Sequence, residues 1–254
     1  MIETYALELI QNGKRVDGRE FTQFRDIEIK ENVIETAEGS AYVRFGNTKV
    51  IVGVKIGTGA PFPDTPNEGI LSVSAEFTPL ASPEFEAGPP GEDAIELARI
   101  VDRGIRESKM IELEKLAITP GEKVWSVFVD IYIIDNQGNL LDAAALASVV
   151  ALMNTRLPKL DVEGNIVKGE YDGKLPVVHK PITISVCKVG DKLFLDPTKE
   201  EELVIDAKLS IAVREDDKIC AMQKQGNKGI EFDFIEKMVD VAIEKSKELR
   251  KLVK

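Results

Sequence analysis

Three arginines, Arg99, Arg103 and Arg106, recur at spacings of four and three in the run GEDAIELARIVDRGIRESK, residues 91–109. On a helix turning about 100° per residue they share an arc of roughly 60°. Ala94, Leu97, Ala98, Val101 and Ile105 then fill the opposite face, which is built to pack. Guanidinium groups held on one stripe can grip phosphates or carboxylates through paired N–H donors. A second reading competes with that one. Glu96 precedes Arg99 by three residues, Asp102 precedes Arg106 by four and Glu107 follows Arg103 by four, which suits a solvated ladder of ion pairs. Spacing alone leaves both open.

Other reactive side chains are few. The single histidine, His179, lies in LPVVHKP with no Cys, Asp or Glu within three residues. Nucleophilic triads and histidine metal sites therefore have almost no material. Cys187 and Cys220 sit in the strand-like runs ITISVCKV and KICAMQK, and burial is expected for both. Two cysteines exclude a disulfide framework and a zinc finger. Asp196, Glu200, Glu201 and Glu202 read by themselves as a charged turn and strand edge.

The 254-residue chain carries a net charge of −11, with 43% hydrophobic and 6% aromatic residues. Such a chain can bury a substantial core. Its surface repels RNA and DNA over most of its area, so a nucleic-acid role needs a local basic stripe or a basic partner. Few aromatics argue against a self-sufficient base-stacking platform. No apolar run reaches membrane-spanning length, and MIETYALELIQNGKR lacks a signal-peptide core, so the expected location is the cytoplasm.

These residues need positioning elements. A short amphipathic helix is predicted over 3–11, followed by the Asp17-Gly18 turn between Arg15 and Arg19. Strands are predicted over 26–30, 40–45 and 48–56, the last two as a hairpin around Gly46-Asn47, and a further strand at ILSVSAEF. Gly/Pro-rich loops cover 57–69 and 79–92. The arginine helix starts near Glu92 and is expected to extend to about Leu116. The run 124–134 is apolar on both faces, which predicts a central strand. Residues 142–156 predict a helix apolar nearly all round, hence buried. A polar linker over 159–176 precedes strands at 182–188, 192–195, 202–206, 209–214 and 218–223, and a charged helix over 231–252. Strands followed by helices, twice over, predict an α+β protein of two similar halves.

GEDAIELARIVDRGIRES, DNQGNLLDAAALA and LDPTKEEELVIDAKLSIA, with KRVDGRE near the start, resemble the RNase PH family. Within it they look most like the catalytically silent branch that occurs in archaeal exosome rings. The resemblance runs from about residue 12 to 250. It implies an RNase PH-like fold, of the ribosomal protein S5 domain 2-like kind. The implied division is an N-terminal helix and RxDGR turn (1–30), a first domain (31–158) and a second domain (180–252).

The family shortens RNA from its 3′ end with inorganic phosphate as the attacking group, releasing nucleoside diphosphates. Phosphate is already a competent nucleophile, so the protein needs mainly an anion pocket and acids for proton transfer or a divalent metal. Active members place Gly-(Ser/Thr)-Arg before the Ala-rich helix, and E-E-D with a further Asp six residues on. Here Asn139-Leu140 follows Gly138, and Glu202 and Lys208 stand at the two Asp positions. The resemblance thus implies a chain without catalytic, metal or cofactor residues of its own, phosphate being used at a partner's site. The implied partners are a catalytic RNase-PH-type subunit, alternating with this chain in a six-membered ring, RNA-binding cap subunits and single-stranded RNA. Arg99 and Arg103, with Arg106, match the arginines that hold RNA beside the neighbour's active site. Arg15 and Arg19 are expected to make structural ion pairs. The alternative is that the chain is itself an active phosphate-dependent 3′–5′ exoribonuclease.

Overall fold

The computed structural model describes residues 2–253. Helix α1 (Ile2–Gln11) leads through the RxDGR turn to strands β1 (Ile27–Glu31), β2 (Gly39–Phe45), β3 (Thr48–Gly59) and β4 (Ile70–Glu76). Helix α2 (Glu92–Glu107) carries the arginines, and β5 (Ala117–Thr119), β6 (Lys123–Asp135) and α3 (Leu140–Met153) follow. A hairpin of β7 (Arg156–Leu160) and β8 (Ile166–Lys174) leads to β9 (Ile182–Val189), β10 (Lys192–Leu195), the short α4 (Lys199–Glu202), β11 (Ala207–Val213), β12 (Ile219–Gln225) and α5 (Phe232–Arg250).

The first sheet has the order β1-β2-β3-β6-β4, with β5 paired to β6 and only β4 running parallel to its neighbour. The second is fully antiparallel, β10-β9-β11-β12. Helix α3 lies between them, packed on β2 and β3 on one side and on β9 on the other. Every residue from Leu140 to Leu152 is buried, which explains a helix with no polar face. Backbones approach closely here: a Cβ on Gly39 of β2 would stand 2.5 Å from the Ala151 carbonyl oxygen of α3. Helix α2 packs on β4, α3 and β12, while α5 covers β9 and β11. One continuous apolar cluster joins residues of both sheets. The halves are alike in being sheet plus helix, yet they share a core.

Several expectations need correction. The arginine helix stops at Glu107, because Ser108 caps it and Lys109 turns into the left-handed region at φ 54°. Leu113–Leu116 forms a separate single turn. The polar linker is the β7–β8 hairpin, with Arg156 stacked 3.9 Å from the Tyr171 ring. The strand expected at 202–206 does not form: Thr198 caps α4 in a reciprocal box with Glu201, and a turn follows. Strand β6 is central, but Phe128 and Tyr132 on one face are exposed, so only its other face enters the core. Cys187 is fully buried as expected, whereas Cys220, on edge strand β12, is half-buried. No helix among the described residues is long and apolar enough to cross a membrane.

Candidate RNA and anion sites

Helix α2 seats Ala94, Leu97, Ala98, Val101 and Ile105 in the core and leaves Arg99, Arg103 and Arg106 exposed, as the periodicity demands. The three arginines then part company. The Arg106 guanidinium pairs with Asp102 at 2.7 Å and donates to the Leu71 carbonyl oxygen at 3.1 Å, facing β4. That pair holds the Arg106 pKa above its ordinary value. Arg103 Nη1 points the other way and donates to Gln223 Oε1 on β12 at 3.4 Å. Among the described residues neither Arg99 nor Arg103 forms an ion pair, and Glu96 instead accepts from Gln225 Nε2 at 3.0 Å. Only the Asp102–Arg106 rung of the salt ladder exists.

Arg99 and Arg103 line an open groove of about 400 Å³ between α2 and β12, together with Glu92, Ile95, Glu96, Ile100 and Gln223. Two guanidinium groups outside any ion pair can take successive phosphates of a single strand, against the opposing charges of Glu92 and Glu96 on the same groove. Glu96 and Ile100 also border a second groove of about 420 Å³, which reaches Leu140, Glu202 and Lys208. A larger cavity of about 620 Å³ under the 77–91 loop is lined by Glu76, Glu84, Glu86, Glu92 and Asp93, a poor environment for a phosphate.

The second groove contains the start of α3. Asn139 adopts the left-handed conformation at φ 54° and supplies no side-chain cap; its Nδ2 donates to Asp196 Oδ1 at 2.9 Å. Its backbone N–H donates to Glu202 Oε1 at 2.9 Å. Leu140, buried, supplies no charge. Asp142, one turn further, is buried and accepts from Ser185 N at 3.0 Å and Ser185 Oγ at 2.7 Å; Ser185 Oγ also meets Ser210 Oγ at 2.8 Å. Burial pushes the Asp142 carboxyl from 3.8 up to about 6, while the Ser185 donors and the nearby Lys208 charge resist a larger rise.

The acidic run is not a solvated turn. Glu201 is buried against Arg15, whose Nε and Nη2 reach its two oxygens at 2.8 and 2.5 Å. Asp196 is buried between Arg19 at 3.0 Å and Arg25 at 2.7 Å. Burial alone would raise the Asp196 pKa, but the Arg25 guanidinium and backbone N–H hold it below the carboxylate range. Arg15 and Arg19 are therefore the structural ion pairs expected of the RxDGR turn. His179 has a partner that local sequence did not reveal: Nδ1 lies 2.6 Å from Glu215 Oε1. Among the described residues no group of three or more metal-ligating side chains occurs.

Sequence reasoning missed Gln223, which closes the arginine groove, and the contact of Glu202 with α3. Both are long-range, and only the acidic motif around Glu202 carried any local signal.

A fold of two sheets around a shared helix, with a groove at the start of that helix, defines the class. The 3′ exoribonuclease family matches with its domain 1 over residues 23–158 and its domain 2 over residues 179–245. The chain belongs to this family, with its RNase PH-like α+β fold. It is 48% identical over 250 residues to the exosome complex component Rrp42 of Thermococcus gammatolerans, covering 97% of this chain and 92% of that one. Its fold matches a chain in the structure of the Archaeoglobus fulgidus exosome with RNA bound to the active site, at 48% identity and a TM-score of 0.94, over 100% of this chain and 98% of that chain. A chain of an archaeal exosome core matches at 44% identity and a TM-score of 0.89, covering 99% and 96%.

Proposed function

We propose that this chain is the non-catalytic RNase-PH-type subunit of an archaeal exosome, a complex that degrades RNA from the 3′ end by phosphorolysis. It alternates with a homologous catalytic subunit in a hexameric ring, a trimer of heterodimers, and completes that neighbour's active site. Cap subunits bind the ring and RNA, and the complex works in the cytoplasm. Inorganic phosphate is consumed at the partner's site; this chain needs no cofactor of its own. Family membership and near full-length similarity to exosome components support the reading.

The RNA role is carried by one observation: Arg99 and Arg103 line the same open groove and, among the described residues, neither forms an ion pair, although Glu92 and Glu96 border it. There they bind the phosphates of a single strand and fix its path toward the neighbour's site, a positioning role. Arg106 adds less, because Asp102 already neutralises it. The acidic body of the chain repels RNA elsewhere, which confines binding to this groove.

The alternative, an active exoribonuclease using Glu202 with Asp196 or Asp206, meets three engaged carboxylates. Asp196 serves Arg19 and Arg25, Glu202 serves α3, and Asp206 serves Lys228 at 2.6 Å and Gly190 N at 2.8 Å. The test of the RNA role is R99E/R103E in the reconstituted ring. RNA affinity should fall on the order of ten- to a hundredfold, with a shallower salt dependence. Ring assembly, followed by size-exclusion chromatography, should not change. Unaltered affinity would sink the RNA role.

A further inference from the structure

Two glutamines on edge strand β12 meet the charges of α2. Residues 223 and 225 stand two apart on a strand, so their side chains leave the same face. Gln225 Nε2 donates to Glu96 Oε1 at 3.0 Å, and Gln223 Oε1 accepts from Arg103 Nη1 at 3.4 Å. Glu96 precedes Arg99 by three residues and Glu107 follows Arg103 by four, the helical spacings at which carboxylate and guanidinium pair. Neither pair forms among the described residues, whereas Asp102–Arg106, which faces β4 instead, does. We propose that Gln223 and Gln225 are positioning residues for RNA. Each breaks one rung of the α2 salt ladder, so that Arg99 and Arg103 keep their charge for phosphate. This rests on the reading of the arginine groove as an RNA site.

The amide group suits both tasks. It carries N–H donors for a carboxylate and an oxygen for a guanidinium, and it brings no charge of its own into the groove. Gln223 Nε2 is spent on the Lys224 carbonyl oxygen at 3.2 Å, which turns Oε1 toward α2. A long contact to a neutral oxygen aims Arg103 without neutralising it, whereas a carboxylate at 223 would do both. On Gln225 the allocation is reversed, because Glu96 only accepts. Its Oε1 is left buried without a partner among the described residues. A lone buried acceptor costs stability, so the needs of the fold alone do not account for an amide at 225. Strand pairing holds both residues in place: Gln223 lies opposite Ser210 and Gln225 opposite Lys208 on β11, while α2 packs against β12. Glu92, also on the groove, stands seven residues before Arg99, too far along the helix to pair with it.

The experiment uses the reconstituted ring and a single-stranded oligo(A) RNA. Affinity is measured across a salt series, and assembly is followed by size-exclusion chromatography. Q223A/Q225A should weaken binding on the order of three- to tenfold and flatten its salt dependence, a modest loss because exposed ion pairs are individually weak. The same change in an E96Q/E107Q background should do almost nothing, since no carboxylate then competes for either arginine. A crystal structure of Q223A/Q225A should show Glu96 on Arg99 and Glu107 on Arg103. Undiminished affinity, or an equal loss in both backgrounds, would overturn the proposal, because the glutamines are then idle or merely structural. So would a structure in which both rungs stay open, whatever the RNA assays give. If the double variant does not assemble, Q223A with E107Q and Q225A with E96Q are read singly by the same rule. R99E/R103E separates the two readings. No loss there removes the RNA site itself; loss there with none in Q223A/Q225A removes only the role of the glutamines.

Discussion

Asp142 stands in the first turn of α3 with its carboxylate turned into the second sheet, where Ser185 supplies both donors. Burial raises its pKa from 3.8 to about 6. The folded chain therefore holds this proton more tightly than the unfolded chain. Its contribution to stability is full below about pH 4, declines as pH rises to about 6, and stays lost above that. A shift of that size corresponds to about 3 kcal/mol. Asp196 acts in the opposite sense: its depressed pKa stabilises the fold at neutral pH and is lost on acidification. Denaturant unfolding of D142N against wild type isolates the first effect. The variant should gain on wild type as pH climbs from about 4 to 6 and hold a constant advantage above. A stability difference independent of pH would contradict this account.

At the scale of elements, α3 is the piece on which both sheets depend. Its alanines are small because a strand layer lies against each side, and Ala147 is fully buried. Enlarging such a site forces side chains off their rotamers or moves backbone. A147L should cost about 1–3 kcal/mol in equilibrium unfolding. The exposed Ile95 of α2 offers the contrast: I95A should stay within about 0.5 kcal/mol of wild type. Helix α2 shows how one element serves two ends. Its apolar face is held by β4, α3 and β12, and that packing aims Arg99 and Arg103 into the groove by β12 while Arg106 turns to β4.

The whole molecule is acidic, with a net charge of −11. Under the proposed function, general attraction for RNA comes from other subunits, and this chain contributes a local grip. Phosphate-dependent release of nucleoside diphosphates from poly(A) RNA should be absent with the purified chain and present once it is assembled with the catalytic RNase-PH-type subunit. Activity from the chain alone would restore the alternative reading and demand an unconventional site. Wild-type rings and rings carrying R99E/R103E should differ most at low salt and converge as salt rises, because the variant has lost phosphate contacts and with them part of the counterion release.

Periodicity and composition by themselves determined much of this protein. The burial of α2 along one face, the all-round burial of 142–152, the central place of β6 and the α+β layering follow from patterns within about twenty residues, because burial imposes a period on local sequence. The candidate arginines were legible for the same reason. What only the tertiary structure decided was which charges meet. Glu96 and Glu107 sit at ideal helical spacing from Arg99 and Arg103, yet Glu96 is drawn off by Gln225 and the arginines face Gln223 across the groove. Glu201 and Asp196, which look like a solvated turn in one dimension, are buried by Arg15, Arg19 and Arg25 from the other end of the chain. Glu202 reaches the start of α3 because the Arg15–Glu201 pair fixes α4 beside it. Ionic partners are chosen by proximity and desolvation in three dimensions, and neither quantity has a local period to read.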